Sequence, residues 1–319
     1  MKIVTIGAAV QDIFLSNSSE FRPVCESPET CFLRLELGAK ADVNQIHFST
    51  GGGATNAAVT FARQGIETAF MGSVGNDPAG QAVLADLDAE GVDTSHVRIS
   101  ERYNTGYSVL LLAPNGERTI LTYRGASTHY YIRDFDFSSV EADWLYISNL
   151  SGKMDVLNHI VTEAKKRGIQ IMYNPGKKEL EQREKLIGIL EDIDVLLVNK
   201  EEMQILVEGE ELEELILRGL NYAPVVLITD STNGVIASDG KTIVRAGLYD
   251  DRPSKDRTGA GDAFGSGFLS RWIFDQSLKD SILLASANSS SVVTQVGTKA
   301  ALLHKGAKLH AMPISERKI

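Results

Sequence analysis

The sequence Lys2-Ile-Val-Thr-Ile-Gly7 is an apolar run that ends in glycine, a pattern typical of a strand buried on both faces. Similar runs follow at 68–72, 144–148, 169–173, 195–198 and 225–229. Segments with helical spacing of apolar residues lie between them, at 54–64, 78–90, 154–167, 179–190 and 210–220. Because apolar strands that alternate with amphipathic helices build βαβ units, the pattern predicts an α/β fold with a mostly parallel sheet covered on both faces.

Two regions interrupt this alternation. Residues 17–49 are polar and end in an alternating stretch, and residues 107–124 read as a β-hairpin with its turn at Pro114-Asn115-Gly116. Strands that leave a parallel sheet early in the chain predict a small β lid, formed by approximately 13–50 and 105–125. No flexible linker separates the parts, so we expect one domain over residues 1–319.

The chain has 319 residues, of which 32 are Lys or Arg and 42 are Asp or Glu, giving a net charge of −10. Such an acidic chain without a basic patch is a poor partner for nucleic acid. No apolar run reaches the roughly 18 residues of a membrane span, and the first residues do not resemble a signal peptide. Cys25 and Cys31 fit no zinc or redox spacing. We therefore expect two unpaired thiols in a cytoplasmic protein that binds no membrane.

The segment Asp256-Arg-Thr-Gly-Ala-Gly-Asp262 precedes a predicted helix that begins near Ala260. Glycines at a helix entrance let backbone N–H groups approach an anion, and Thr258 is the expected N-cap. A carboxylate in the first turn is repelled by a bound phosphate, but it suits a group that takes a proton from an incoming hydroxyl. The alternative is a glycine turn with an ordinary first-turn Asp, and spacing alone leaves both readings open.

A second glycine cluster, Gly51-Gly-Gly-Ala-Thr-Asn56, opens another predicted helix. Asn56 offers donors and acceptors that suit hydroxyl groups, and so does Asp12 after the first strand. A tight turn is the alternative for both features. Neither cluster is a P-loop, and the first strand lacks the dinucleotide-binding G-x-G-x-x-G.

In order along the chain, these motifs resemble the ribokinase-like (PfkB) family of carbohydrate and nucleoside kinases. The resemblance spans nearly the whole sequence, and Thr258-Gly-Ala-Gly-Asp262 followed by Ala263-Phe264 is its most specific part. The other matching stretches are Gly7 with Asp12, Gly51-Gly52 with Asn56, Gly72 to Gly80, and Asn199-Lys-Glu-Glu202. The resemblance implies a Rossmann-like three-layer sandwich with a small β-strand lid.

The resemblance also implies the role of each matching residue. Asp262 would deprotonate the acceptor hydroxyl, and the amides of Gly259, Ala260 and Gly261 would form an anion hole. The implied substrate contacts are Asp12, Gly51, Gly52 and Asn56. The implied ATP contacts are Thr229, Gly234 and Asn288, with Asn199 and Glu202 positioning Mg²⁺ and phosphates, Glu202 through water. Asp256, Thr258 and the Gly297 loop would surround a monovalent cation such as K⁺.

Some of these residues have alternative roles. Asn199 and Glu202 can instead cap a helix, and Asn288 can be a hydrogen-bonded polar residue of the core. The sequence also departs from the family at its T-x-G-x-x-G nucleotide loop, because Ser231 replaces the first glycine. A Cβ at that position would crowd a phosphate.

The sequence does not decide which molecule is the phosphoryl acceptor. A small sugar is the first expectation and a nucleoside the second, with Phe14, Phe32 and Phe48 as candidates for a base slot. Arg124 could pair with a carboxylate or phosphate, which would indicate a keto-sugar acid or a sugar phosphate. A non-catalytic sensor of the same fold, and a nicotinamide-dependent dehydrogenase, are the alternatives from other classes. Family lids often pair between subunits, so the resemblance also implies a homodimer through the lid.

Overall fold

The computed structural model describes residues 1–27, 30–114, 117–250, 255 and 257–319. Its largest element is a ten-stranded sheet. Seven neighbouring strands of this sheet pair in parallel, and the three strands at one end are added by antiparallel pairing. In spatial order the strands are β16 (Ile314–Lys318), β15 (Thr242–Ala246), β14 (Val235–Ser238), β13 (Val225–Thr229), β12 (Val195–Asn199), β11 (Gln170–Tyr173), β10 (Trp144–Ile147), β1 (Lys2–Ile6), β6 (Glu67–Gly75) and β7 (Val97–Ser100).

Helices cover both faces of this sheet. They are α1 (Gly53–Arg63), α2 (Pro78–Ala89), α3 (Met154–Lys166), α4 (Lys177–Leu180), α5 (Arg183–Leu190), α6 (Lys200–Leu206), α7 (Leu212–Gly219), α8 (Ala260–Asp275) and α9 (Leu278–Val292). Alternate strand residues pack on opposite sides: Leu196 and Val198 join the core under α3 and α5 to α7, whereas Val195 and Leu197 join the core under α1, α8 and α9. The predicted α/β architecture is therefore confirmed.

A smaller four-stranded sheet, called the small sheet below, has the order β5 (Gln45–Gly51), β2 (Val10–Ser16), β8 (Gly106–Leu112) and β9 (Arg118–Tyr123). Its register places Asp12 opposite both Ser49 and Ser108, and Ser108 opposite Thr122. These paired residues share one face. The hairpin from the sequence analysis is β8 and β9, while Asn115 and Gly116 of its expected turn lie outside the described residues.

The structure corrects two sequence-based expectations. Cys25 and Cys31 are joined by a disulfide, because β3 (Pro23–Ser27) and β4 (Thr30–Leu33) form a hairpin that sets them directly opposite each other. The single helix expected at 179–190 is divided into α4 and α5.

The division between α4 and α5 has a tertiary cause. The buried carboxylate of Glu179 accepts hydrogen bonds from the backbone N–H groups of Leu150 and Gly152, at 2.7 and 2.8 Å. Contacts so distant in sequence leave no local pattern. In the described part of the chain, no helix has the length and apolar composition to span a membrane.

Candidate active site

Two cavities meet at the first turn of α8. One, of about 250 Å³, is lined by Asp12, Asn56, Thr258 and Asp262 among others, and is called the acceptor cavity. The other, of about 190 Å³, is lined by residues that include Thr229, Ser231, Gly234, Ala260 and Gly261, and is called the donor cavity. The backbone passes from one to the other between residues 261 and 262. A group held in either cavity therefore lies beside the same helix terminus.

Asp262 is oriented by a chain of hydrogen bonds. The Asn56 side chain donates from Nδ2 to Asp262 Oδ2 at 2.8 Å, and its Oδ1 accepts from Thr298 Oγ1 at 2.8 Å. Burial raises the pKa of Asp262, and the hydrogen bond from Asn56 opposes part of that rise. A carboxylate with a raised pKa is a stronger base, so this environment suits proton abstraction.

The glycines before α1 permit close backbone packing beside Asp12. A Cβ built on Gly51 would lie 2.2 Å from Asp12 Oδ2, and one on Gly52, whose φ is 104°, would lie 2.3 Å from the carbonyl oxygen of Ala8. Gly52 lines the acceptor cavity, whereas Gly51 packs against the Asp12 carboxylate. Asp12 itself is buried on β2 and faces the cavity.

The start of α8 differs from the expected capping. Its N-cap is Gly259, in the left-handed region at φ 79°, and not Thr258. Only glycine adopts this conformation without strain, and it turns the chain into the helix, which begins at Ala260 as predicted. Thr258 instead lines the acceptor cavity. Asp256, the other expected cation ligand, lies outside the described residues.

The donor cavity is closed on one side by the 229–234 loop. Ser231 has φ 48°, a left-handed backbone conformation that residues other than glycine rarely adopt. Gly234 has φ 94°, and a Cβ there would lie 2.1 Å from the carbonyl oxygen of Ala246. The loop thus keeps the backbone path of a glycine at position 231 even though the residue is serine.

Asn199 and Glu202 form a capping box at the start of α6. Asn199 Oδ1 accepts from the Glu202 N–H at 2.8 Å, and Glu202 Oε2 accepts from the Asn199 N–H at 2.9 Å. Burial raises the pKa of Glu202, while its bond from the Asn199 backbone opposes the rise. Asn199 pairs in register with Thr229 of the donor cavity, so the box lies beside that cavity without lining it.

Asn288, which was expected to line the nucleotide site, does not line the donor cavity. Asn288 is fully buried, donates to the carbonyl oxygen of Ala263 at 2.9 Å and accepts from the Leu303 N–H at 2.8 Å. It is a hydrogen-bonded core residue. The wall that α9 gives to the donor cavity consists of Ser286, Ser289 and Ser290.

Arg124 lies on the acceptor side, as expected. It follows β9, lines the acceptor cavity and is exposed. Its guanidinium forms no hydrogen bond or ion pair with the described residues. The aromatic candidates for a base slot lie elsewhere: Phe32 and Phe48 are exposed, and the buried ring of Phe14 lines a different cavity, beside His47.

Sequence reasoning missed three residues near the site. Thr298 and Lys299 follow a segment with no strand or helix pattern, and their contacts are to residues more than 200 positions away. Glu179 holds the loop that carries Asn149 and Ser151 into the acceptor cavity. Each is an ordinary polar residue in the sequence, and Gly297 before Thr298 was the only nearby signal.

The large sheet, the small sheet and the helix terminus between two cavities define a protein of the ribokinase fold. The crystal structure of fructokinase from Vibrio cholerae O395, in fructose, ADP and calcium ion bound form, matches with a TM-score of 0.76 at 22% identity, covering 96% of this chain and 97% of that one.

Sequence comparisons give the family. The model of the pfkB family carbohydrate kinases matches residues 26–305, and the chain therefore belongs to that family. The ribokinase of Haemophilus influenzae is 27% identical over 264 residues, which is 79% of this chain and 83% of that protein. The ATP-dependent ribose-1-phosphate kinase of Halopiger xanaduensis is 27% identical over 269 residues, which is 83% of this chain and 88% of that one.

Proposed function

We propose that the protein transfers the γ-phosphate of ATP to a primary hydroxyl of a small sugar, with Asp262 as the general base. The observation that carries this proposal is the position of Asp262 in the acceptor cavity, one residue from the amides that border the donor cavity. Family membership supports kinase activity. The small sheet contributes Asp12, Ser108 and Thr122 to the acceptor cavity and would act as its lid.

In this mechanism the Asp262 carboxylate takes the proton of the acceptor hydroxyl. The resulting oxygen bonds to the γ-phosphorus in line with the leaving group, the bond from that phosphorus to the β-phosphate oxygen breaks, and ADP departs with the electron pair. The N–H groups of Gly259, Ala260 and Gly261, at the positive end of α8, would stabilise the charge on the transferring group. Asp12 would accept hydrogen bonds from other sugar hydroxyls.

Mg²⁺ bound to the ATP phosphates would neutralise their charge during transfer. Glu202 fits a water-mediated contact with such an ion, because Mg²⁺ keeps several waters and the Glu202 carboxylate is tied to the backbone of Asn199 beside the donor cavity. We further propose that a monovalent cation binds near Thr258. We also propose that the protein is cytoplasmic.

The test is ADP release with Mg·ATP against pentoses, hexoses, sugar acids, sugar phosphates and nucleosides. Asp262→Asn should lower kcat by roughly 10²–10⁴ with little change in KM, the usual size of a general-base contribution. Asp275→Asn, at the exposed far end of α8, is the matched control. Near-wild-type turnover of Asp262→Asn would refute the assignment. Binding of a sugar without turnover would favour the non-catalytic sensor.

A second candidate substrate class is an anionic sugar. The position of the exposed Arg124 in the acceptor cavity favours it. Two relatives of equal identity act, by their names, on ribose and on ribose 1-phosphate, so similarity does not choose between neutral and anionic acceptors. A guanidinium that lines the acceptor cavity and bonds none of the described residues would bind a carboxylate or phosphate.

The two substrate classes can be separated with Arg124 variants. If the acceptor is anionic, Arg124→Gln should raise its KM roughly 10- to 100-fold, the worth of a charged hydrogen bond, while Arg124→Lys retains part of the affinity. Turnover of a neutral sugar should change less than twofold in either variant. If the best substrate is neutral and neither variant alters its KM, the anionic assignment fails.

A further inference from the structure

An ion pair between a buried lysine and a partly exposed aspartate lies behind the acceptor cavity. Lys299 is only 6% exposed, and its Nζ donates to Asp86 Oδ2 at 2.9 Å and to Thr50 Oγ1 at 2.6 Å. The Thr50 hydroxyl is in turn bonded to Asp86. Burial acts to raise the pKa of Asp86, but Lys299 and Thr50 outweigh it and hold that pKa below its usual value. The pair thus joins α2, β5 and the segment after α9 at one point.

From this pair, hydrogen bonds lead to the proposed base. Thr298, next to Lys299, places its hydroxyl 2.8 Å from Asn56 Oδ1 and 3.3 Å from the carbonyl oxygen of Thr50. Because the hydroxyl donates to the oxygen end of the Asn56 amide, the nitrogen end points to Asp262. The orientation of the Asn56 amide, and with it that of the Asp262 carboxylate, therefore depends on where Thr298 is held.

The same segment is attached to α1 at its other end. Arg63 donates to the carbonyl oxygens of Lys299 and Leu302, at 2.8 and 3.1 Å, and pairs with Glu90, the C-cap of α2. Asn56 and Arg63 lie at opposite ends of α1, so the helix contacts the segment at two points. Thr50 also lies at the end of β5, where the small sheet leads into α1.

We propose that Lys299 is a positioning residue for phosphoryl transfer: by pairing with Asp86 it holds Thr50 and Thr298 where they orient Asn56 and, through it, Asp262. This inference rests on the proposed function and extends it to Lys299 and Asp86, which do not line the cavity. Stability and positioning can be separated, because an apolar residue of similar volume can often replace the buried member of an ion pair together with its partner without loss of stability, and here Lys299 is the buried member.

The first experiment compares Lys299→Met, Asp86→Leu and the double variant, with kcat, KM for ATP and thermal unfolding as readouts. Asp86→Leu should unfold at a lower temperature, because it leaves the buried Lys299 charge without its ion-pair partner, and the double variant should recover most of the loss. Lys299→Met should lose less, because the Asp86 side chain it leaves is 40% exposed. If the pair positions the base, kcat of the double variant stays at least about tenfold below wild type, with KM for ATP within about twofold. Lys308→Met, exposed on the same segment, is the control.

A milder pair of variants tests the same series of hydrogen bonds without removing a charge. Thr298→Val keeps the shape and loses the hydroxyl, so we expect a comparable fall in kcat; Thr298→Ser keeps the hydroxyl and should restore it. In an Asp262→Asn background, Lys299→Met and Thr298→Val should change the residual rate by less than about twofold, because their effect passes through the missing carboxylate.

The outcomes distinguish the two proposals. If wild type turns over and requires Asp262, but the stable double variant keeps full kcat, the positioning role is overturned and the proposed function stands. Equal fold-losses in the wild-type and Asp262→Asn backgrounds would also overturn it. If wild type phosphorylates no acceptor, the proposed function fails and the positioning role fails with it.

Discussion

The Asp12 carboxylate occupies the space that a side chain at Gly51 would need: a Cβ there would lie 2.2 Å from Asp12 Oδ2. A methyl group at residue 51 must therefore displace the carboxylate that faces the acceptor cavity. We expect Gly51→Ala to raise the KM of the sugar at least about tenfold, because a displaced Asp12 loses a hydrogen bond to its substrate. KM for ATP should stay near wild type. Equal changes in both constants would indicate general unfolding instead.

Ser231→Gly should stabilise the protein and tighten ATP binding. Ser231 holds φ 48°, which glycine adopts without cost, so the variant should gain about 1 kcal/mol in free energy of unfolding. Removal of its Cβ also gives more room in the donor cavity, which should lower KM for ATP. Ser231→Ala separates the causes, because it keeps the strained backbone and the Cβ but lacks the hydroxyl. An unchanged unfolding temperature in Ser231→Gly would contradict the strain argument.

Gly261→Ala should separate stability from activity. A Cβ on Gly261 would meet nothing within 4 Å, and the residue is helical. Alanine should therefore raise the free energy of unfolding by up to about 1 kcal/mol. The methyl group would project into the space proposed for the phosphate, so kcat/KM for ATP should fall at least tenfold by the steric argument. Loss of both stability and activity would show that the space beside residue 261 cannot hold a methyl group.

Asp262 should lower stability at neutral pH. Because burial raises its pKa, the folded state favours the protonated carboxyl, and ionisation at higher pH costs folding free energy. Asp262→Asn should thus unfold at a higher temperature than wild type at about pH 8, and the difference should close as pH falls towards about 4, near the usual Asp pKa. Thermal unfolding across that range measures it. A less stable variant at about pH 8 would contradict the sign of the shift.

The face of the small sheet opposite Asp12 predicts a homodimer. Ile46, Phe48, Leu121 and Tyr123 are all more than half exposed, and the strand register puts them on that one face. A second copy would cover this apolar surface by a self-complementary contact. Leu121→Asp should convert the dimer to a monomer in sedimentation velocity, whereas Leu217→Asp on α7 should not. A monomeric wild type would refute the expectation.

Sequence reasoning succeeded where the signal was local. The strand at 195–198 is an unbroken apolar run, and α8 follows a glycine turn, so both could be located from neighbouring residues alone. Asp262 was singled out because a carboxylate beside an anion site is chemically unusual, the family resemblance implied its role, and that role stays a prediction. Asp262 and Asn56 are more than 200 residues apart, and only the fold brings them within hydrogen-bond distance.

The errors share one physical cause. Asn288 was assigned from the helix that carries it, but the side of α9 that meets the donor cavity is set by packing against α8. The disulfide depends on a hairpin register, and the break between α4 and α5 depends on a carboxylate bound to a distant loop. Lys299 has no local pattern that distinguishes it from a surface lysine. Each case depends on a pairing that no local pattern encodes, across six residues for the disulfide and across 15 or more for the others.

The proposed base and the β9 residues that line the acceptor cavity stand on elements of different burial. From Ala263 to Ile273, α8 is almost wholly buried, whereas most of β9 is exposed. Substitutions in exposed strands generally cost little folding free energy. We therefore expect mutations in β9 to alter acceptor preference one residue at a time while the proposed base keeps its geometry. This separation makes the chain readily evolvable towards new acceptors, and it identifies residues 118–124 as the place to begin a directed-evolution library.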